Sequence, residues 1–239
     1  MQCHLCLKDK VLQNSHIIPE FFYKPVYDGI HRLHVWSSGP DKINKYWQKG
    51  IREKLLCITC EQFLSPLEDY VKRVFYGGVE VEIKHERYGE ALRNIDYQKF
   101  KLFQLSLLWR SSISSKKFFS EVKLGPHENR IREMLITKNP GEVHEYGCIM
   151  MCLLIDGNRP LDQMIMQPDS LRIDGHRCFR FLLGGCLWIF FVSKHSKNFR
   201  HKELFLSKKG ELTIPLVPAE RVDLITQFAK NLKIPAKLR

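Results

Sequence analysis

The sequence predicts an α+β protein in which a small metal-bound module precedes a helical segment and a C-terminal antiparallel or mixed sheet with a packed helix. Three observations support this fold class. Two C-x2-C pairs lie near the N-terminus, apolar residues repeat at helical spacing in the middle of the chain, and short runs rich in branched and aromatic residues follow Val143. We therefore divide the 239-residue chain into segments 1–78, 79–140 and 141–239.

Paired cysteines define the N-terminal segment. A C-x2-C pair forms a knuckle that presents two sulfur atoms to one ion, and two knuckles complete a tetrahedral thiolate site that usually holds zinc. The predicted ligands of this structural zinc are Cys3, Cys6, Cys57 and Cys60. The remaining cysteines lie singly in apolar stretches, where a thiol behaves as a small hydrophobic side chain, so we expect them in the core; they are Cys148, Cys152, Cys178 and Cys186.

A helix is expected after the second cysteine pair, within "LSPLEDYVKRVFYGG". Ser65 is suited to the N-cap, Pro66 to the first helical position, and Glu68 to the position that closes a capping box. Gly77 and Gly78 would end this helix.

The middle segment combines a strand with two helices. "VEVEIKHERYG" alternates apolar and charged residues, which is typical of a strand with one solvated face. "DYQKFKLFQLSLLWRSSISS" carries a broad apolar stripe that includes Phe100, Phe103 and Leu107, and it therefore predicts a well-buried helix. A second helix is predicted from His127 to about Lys138.

The C-terminal segment contains the predicted sheet. "YGCIMMCLLI", "CFRFLL" and "CLWIFFVS" are short apolar runs separated by turn signals, as expected for buried strands. Gly184 and Gly185 would form the turn between two of these strands. The final "PAERVDLITQFAKNLKIP" has apolar residues at helical spacing and predicts a helix that lies on the sheet.

The charge and the apolar runs bear on partners and localisation. A formal net charge of +12 favours an anionic partner. The N-terminal "MQCHLCLKDK" lacks the apolar region of a secretory signal, so we expect a cytoplasmic protein. The longest apolar run, residues 181–192, is shorter than the roughly 20 residues of a transmembrane helix, and no membrane partner is expected.

The order C-x2-C, S-H-I-I-P, C-x2-C-E resembles that of the HNH endonucleases, the zinc-stapled branch of the ββα-metal nucleases. The resemblance covers roughly residues 1–75. It implies a treble-clef type ββα-metal module in which the four paired cysteines bind structural zinc. It further implies that His16 is the general base and that Glu61 lies near a catalytic Mg²⁺ or Mn²⁺, since a carboxylate is a suitable hard ligand.

The sequence also departs from the HNH pattern. Ser15 stands where the family usually has an acidic metal ligand, and Glu20 and Glu53 are further candidates for that role. Arg52 falls near the expected middle asparagine. The cap predicted at Ser65 would interrupt the family's helix early.

Simpler interpretations of two site residues stay open at this point. The flanking cysteine pairs favour catalysis by His16, and the alternative is a strand-end histidine that hydrogen-bonds to the backbone or supports the zinc site. Glu61 is equally compatible with a solvated carboxylate at a helix N-terminus.

Two groups of basic residues are candidates for contact with nucleic acid. Near the predicted active site they are Lys49, Arg52 and Lys54. In "SKHSKNFRHKE", where Phe199 offers an aromatic surface for stacking, they are Lys194, Lys197, Arg200 and Lys202. The alternative for this second group is an ordinary solvated loop.

The leading functional hypothesis is a metal-dependent nuclease that acts on nucleic acid, DNA in preference to RNA, with a C-terminal domain that selects the substrate or docks a protein partner. A role in defence against foreign DNA follows by analogy alone. One alternative is a non-catalytic zinc module that binds nucleic acid or a protein. Another is a component that acts only within a larger complex.

Overall fold

The structure is a computed structural model that describes residues 1–35, 45–87, 89–192, 199–223 and 225–226. The described residues form an α+β fold with four α-helices and mixed sheets, as predicted. None of the helices among them is both long and apolar enough to cross a membrane.

The N-terminal segment is built on a two-stranded antiparallel ribbon followed by a long helix. Its elements are β1 (Leu12–His16), α1 (Glu20–Tyr23), β2 (Leu33–Val35), β3 (Lys45–Trp47), β4 (Arg52–Cys57) and α2 (Ile58–Tyr76). Strands β1 and β4 pair so that His16 lies opposite Arg52. Because α2 starts directly after β4, the second cysteine pair spans the strand–helix junction.

Helix α2 differs from its prediction at its N-terminus. It starts at Ile58 rather than at Ser65, and Pro66 lies inside it. Cys57 has extended backbone angles and occupies the N-cap position. Although a proline removes one helical hydrogen bond, Leu64 and Val71 are buried on either side of it, and this packing keeps the helix continuous. The helix ends at Gly77, whose φ of 89° few other residues adopt, as predicted.

The middle segment contains a β-hairpin and two helices. Its elements are β5 (Glu82–Glu86), β6 (Gly89–Arg93), α3 (Tyr97–Ile113) and α4 (His127–Ile136). Both helices confirm the predictions from periodicity, and β5 falls within the predicted strand. All five residues of β5 are exposed, however, so the expected buried face is absent from this strand. Helix α3 is buried along nearly its whole length, and its N-terminus is capped by Asp96, whose carboxylate accepts a hydrogen bond from Lys99 N at 3.0 Å.

One large mixed sheet occupies the C-terminal segment and extends into the middle one. Its further strands are β7 (Cys148–Ile155), β8 (Arg159–Pro160), β9 (Met166–Ile173), β10 (His176–Leu183), β11 (Cys186–Phe191) and β12 (Leu212–Pro218). The strand order is β5-β6-β12-β7-β11-β10-β9, with β8 beside β7, and only β12 and β7 pair in parallel. The turn predicted at Gly184 and Gly185 joins β10 to β11.

The main apolar core contains side chains from all three predicted segments. The ring of Phe22 lies 6.3 Å from that of Phe103 in α3 and 5.9 Å from that of Trp188 in β11, measured between centroids. The N-terminal module therefore packs on both α3 and the sheet. The helix predicted at the C-terminus falls mostly on residues 224 and 227–239, outside the described residues.

Candidate metal centre and active site

The four paired cysteines come together as predicted. Their sulfur atoms all lie within 4.8 Å of one another, and the Cys6 and Cys57 sulfurs are 4.0 Å apart. All four are free thiols. A tetrahedral zinc site with Zn–S bonds of about 2.3 Å has sulfur–sulfur edges of roughly 3.8 Å, so this cluster has the dimensions of a tetrathiolate zinc site.

Backbone hydrogen bonds join the first cysteine knuckle to β4. Leu7 N donates to the carbonyl of Cys3 at 2.8 Å, and the left-handed φ of 58° at Leu7 turns the chain so that the Lys8 carbonyl accepts from Cys3 N at 3.0 Å. His4 N donates to the Leu55 carbonyl at 3.1 Å, and Cys57 N donates to the Cys3 sulfur at 3.3 Å. The cluster thus links the N-terminus, β4 and the start of α2.

His16 lies at the end of β1, with its side chain 21% exposed, and two charged groups approach the same ring nitrogen. Its Nε2 is 2.5 Å from Glu20 Oε2 and 2.8 Å from Arg52 Nε. Arg52 Nε donates to Nε2 and so uses the lone pair of that nitrogen, whereas the contact with Glu20 needs a proton on the same atom. Among the described residues Glu20 Oε2 is a buried oxygen without another donor. In any one tautomer of the neutral ring only one of these contacts is a hydrogen bond, so Arg52 and Glu20 compete for Nε2.

Tyr27 completes a chain of hydrogen bonds behind His16. The Tyr27 hydroxyl donates to Glu20 Oε1 at 2.9 Å and accepts from Gly50 N at 3.0 Å. Burial and the neighbouring Glu20 carboxylate raise the pKa of Tyr27 to about 12, so the phenol stays protonated as a donor. Glu20 is thereby held in position to orient the imidazole.

The environment of His16 favours the neutral imidazole. Burial lowers its pKa below the ordinary value, the Arg52 guanidinium lowers it further, and Glu20 only partly offsets these effects. A neutral ring with a free nitrogen is the form that accepts a proton.

Ser15 and Glu61 lie where β1 meets α2. Ser15 belongs to β1, and Glu61 belongs to α2. Ser15 is 3% exposed, its hydroxyl donates to the Gln13 carbonyl at 3.4 Å, and it lies near Glu61 in the first turn of the helix. Burial raises the pKa of Glu61, an effect that Ser15 and Arg110 only partly counter. Glu61 Oε1 is buried without a hydrogen-bond partner among the described residues, so this carboxylate has a free ligand position.

Arg110 of α3 connects the end of β1 to α2, a role that the sequence does not reveal. Its side chain is 2% exposed, and its Nη1 donates to the His16 carbonyl at 2.8 Å and lies 2.6 Å from Glu68 Oε1. Glu68 is therefore an ion-pair partner of Arg110 rather than a capping residue. The one available signal was an arginine within an otherwise apolar helical stretch.

The other predicted site residues are distributed more widely. Glu53 accepts hydrogen bonds from both Ser114 and Ser115 and is fully engaged there, so it lies outside the His16 site. Lys49 and Lys54 are exposed near the module.

The second basic group lies on the C-terminal segment. Arg200 and Lys202 are exposed, whereas Lys194 and Lys197 lie outside the described residues. Phe199 is 4% exposed and packs against Phe191 and Phe205, so the stacking surface expected there is part of the core.

No family model, curated protein or solved structure matches this chain. The resemblance to HNH endonucleases therefore rests on the motif order in the sequence. Within the described ranges, the four cysteines are the only group of three or more His, Cys, Asp or Glu residues close enough to share one metal ion.

Proposed function

We propose that the chain is a nucleic-acid phosphodiester hydrolase with His16 as general base. The observation that supports this most directly is the set of contacts from His16 to Glu20 and from Tyr27 to Glu20 at the end of β1. These residues lie in the same module as the four-cysteine cluster. A carboxylate that accepts from one ring nitrogen fixes the tautomer and orientation of a histidine, and the other nitrogen is then available for proton transfer.

In this proposal Nε2 of His16 carries the proton and donates to Glu20 instead of accepting from Arg52, and Nδ1 takes a proton from an attacking water. The resulting imidazolium is stabilised by Glu20, which is 2.5 Å from Nε2. Arg52, whose Nη2 lies 3.8 Å from the same carboxylate oxygen, limits how strongly Glu20 raises the basicity of the ring. Lys49 and Lys54, both exposed, are available to contact the phosphates that flank the cleaved bond.

A catalytic Mg²⁺ or Mn²⁺ belongs to the same proposal, with Glu61 as its protein ligand. The free, buried Oε1 of Glu61 fits this role. Mg²⁺ is commonly bound by one or two carboxylates, with water and substrate phosphate supplying the remaining ligands. When bound, such an ion polarises the phosphate and stabilises the leaving oxygen.

One observation favours the alternative of a non-catalytic zinc module that binds nucleic acid. The cation of Arg110 pairs with Glu68, and it lowers the pKa of Glu61. A fixed positive charge at this position makes a divalent cation less favourable there. In that case the zinc cluster and the exposed lysines would bind nucleic acid without cleavage.

Cleavage assays distinguish the two functions. Supercoiled plasmid, linear DNA and RNA are incubated with the full chain and Mg²⁺ or Mn²⁺, and binding to the same substrates is followed by gel mobility shift. Hydrolysis is expected for at least one substrate, with a decrease of about 10²-fold or more for His16→Ala. His85→Ala is the control, because His85 is an exposed histidine far from β1 in the fold. Binding without cleavage, or equal rates for wild type and His16→Ala, would support the non-catalytic module instead.

A further inference from the structure

Two cysteines outside the metal cluster lie side by side in the C-terminal sheet. Cys152 of β7 is directly opposite Cys186 of β11. The next pair along the ladder, Leu153 and Gly185, is joined by a backbone hydrogen bond of 2.8 Å. Since hydrogen-bonded and non-hydrogen-bonded pairs alternate in antiparallel strands, Cys152 and Cys186 form a non-hydrogen-bonded pair, the arrangement that brings side chains closest.

Both thiols line a cavity of about 480 Å³ between the sheet and the C-terminal end of α2. Phe75 and Phe100 contribute to its apolar wall, and Glu90 and Asp162 are among its polar lining residues. Cys152 is partly exposed and Cys186 is 6% exposed. The cavity therefore gives small molecules a route to this pair of thiols.

We propose that Cys152 and Cys186 form a redox-active dithiol that reacts with low-molecular-weight disulfides entering this cavity. The Cys152 thiolate attacks one sulfur of the incoming disulfide, which releases one small thiol and leaves a mixed disulfide on Cys152. The Cys186 thiolate then attacks the Cys152 sulfur and releases the second small thiol. Two protein thiols are oxidised to one disulfide, and the reagent is reduced to two thiols, which take up the two protons.

The order of attack follows from the environment of the two thiols. The neighbouring Cys186 thiol is the largest influence on Cys152 and lowers its pKa, whereas the Cys152 thiol and burial raise the pKa of Cys186. The thiol with the lower pKa is also the more exposed of the two. Cys152 is therefore the nucleophile in the first step.

The bond formed across the strands should be easy to reduce. Non-hydrogen-bonded cross-strand pairs have Cα atoms about 4.5 Å apart, close to the short end of the range of about 4.4–6.8 Å found for disulfides. Disulfides with strained geometry have higher reduction potentials than relaxed structural ones. The pair is thus suited to reversible oxidation.

The test is incubation of the zinc-loaded full chain with oxidised glutathione. Remaining thiols are alkylated, the intact mass is measured without reduction, and linked tryptic peptides are identified. We expect the loss of two free thiols, a link between the Cys152 and Cys186 peptides, and recovery of both thiols with reduced glutathione. Cys148 and Cys152 share a tryptic peptide, so the wild-type link alone does not say which of the two is bonded. Cys148→Ala removes this ambiguity and should behave like wild type.

A single-cysteine variant tests the order of the steps. Cys186→Ser should stop at one glutathione attached to Cys152, because the resolving thiol is missing. The proposal is overturned if the folded wild-type chain loses no thiols, or if every bridge found joins cysteines other than these two. The assigned order, and with it the proposal, would be overturned if Cys152→Ser carried glutathione on Cys186 while Cys186→Ser carried none on Cys152.

Discussion

Replacement of Arg110 by methionine tests how the end of β1 is held in place. The wild-type guanidinium donates to the His16 carbonyl and pairs with Glu68. A hydrogen bond from a charged donor contributes about 1.5–3 kcal/mol, and an ion pair with a partly exposed partner contributes about 1 kcal/mol or less. Methionine keeps the apolar part of the side chain and removes the buried Nη2, which has no hydrogen-bond partner among the residues that the structure describes, so part of the loss is recovered.

The net effect expected for Arg110→Met is a decrease of about 2 kcal/mol in the free energy of unfolding. For a chain of this size that corresponds to a decrease in Tm of about 4–8 °C. Urea unfolding followed by tryptophan fluorescence gives the free energy, and calorimetry gives the Tm. Arg73→Met is the matched control, because Arg73 is an exposed partner of Asp69 and its replacement should change the free energy by less than about 0.5 kcal/mol.

A stability of Arg110→Met equal to that of wild type would refute this reasoning. A double-mutant cycle with Glu68→Gln then separates the two contacts. If Glu68 contributes little because it is partly exposed, the coupling energy between Arg110 and Glu68 should be below about 1 kcal/mol, and most of the loss should come from the His16 carbonyl.

Three further predictions concern carboxylates. Glu61→Gln should be more stable than wild type at neutral pH but not in acid. Burial raises the folded-state pKa of Glu61, so the wild-type protein loses stability as pH rises through the unfolded-state pKa of this carboxyl. Urea titrations at both pH values measure this difference, and a variant less stable at neutral pH would contradict it. Burial alone would raise the pKa of Glu53, but hydrogen bonds from Ser115 and Ser114 outweigh this effect and lower the pKa. Glu53→Gln should therefore lower the free energy of unfolding by about 1–2 kcal/mol at neutral pH, and by progressively less as pH falls through the folded-state pKa. A loss of stability in Glu53→Gln that does not change with pH would contradict the role of the ionised Glu53 carboxylate as a hydrogen-bond acceptor. Glu20→Gln should lower the pKa of His16 further, as read from NMR of the imidazole, and an unchanged pKa would show that Glu20 does not act on the ring.

Local signals in the sequence were sufficient for much of the fold. Helices α3 and α4 follow from the helical spacing of their apolar residues, and strands β7, β10 and β11 follow from short apolar runs separated by turn signals. The cysteine cluster follows from the chemistry of two C-x2-C pairs. The start of α2 was predicted wrongly because Ser65 and Pro66 form a strong local start signal, whereas the junction at Cys57 depends on the partner knuckle far away in the sequence.

Long-range contacts explain what the sequence did not reveal at the site. Arg110 reaches the His16 carbonyl across 94 positions, and Glu53 reaches Ser114 across 61. Neither contact leaves a local pattern, so Glu53 was considered as a metal ligand and Arg110 was not considered at all. Glu20 was among the candidates, but its contact with His16 rather than with a metal depends on the turn at Pro19 and on Tyr27.

The metal content of the purified chain is the most direct test of this account, because the four cysteines are the link that joins the N-terminal knuckle, β4 and α2 around His16. Elemental analysis of the wild-type protein should give about one zinc per chain, and Cys57→Ser should lose both the zinc and the cooperative unfolding transition of the module. A wild-type chain that is stably folded without zinc would contradict the account.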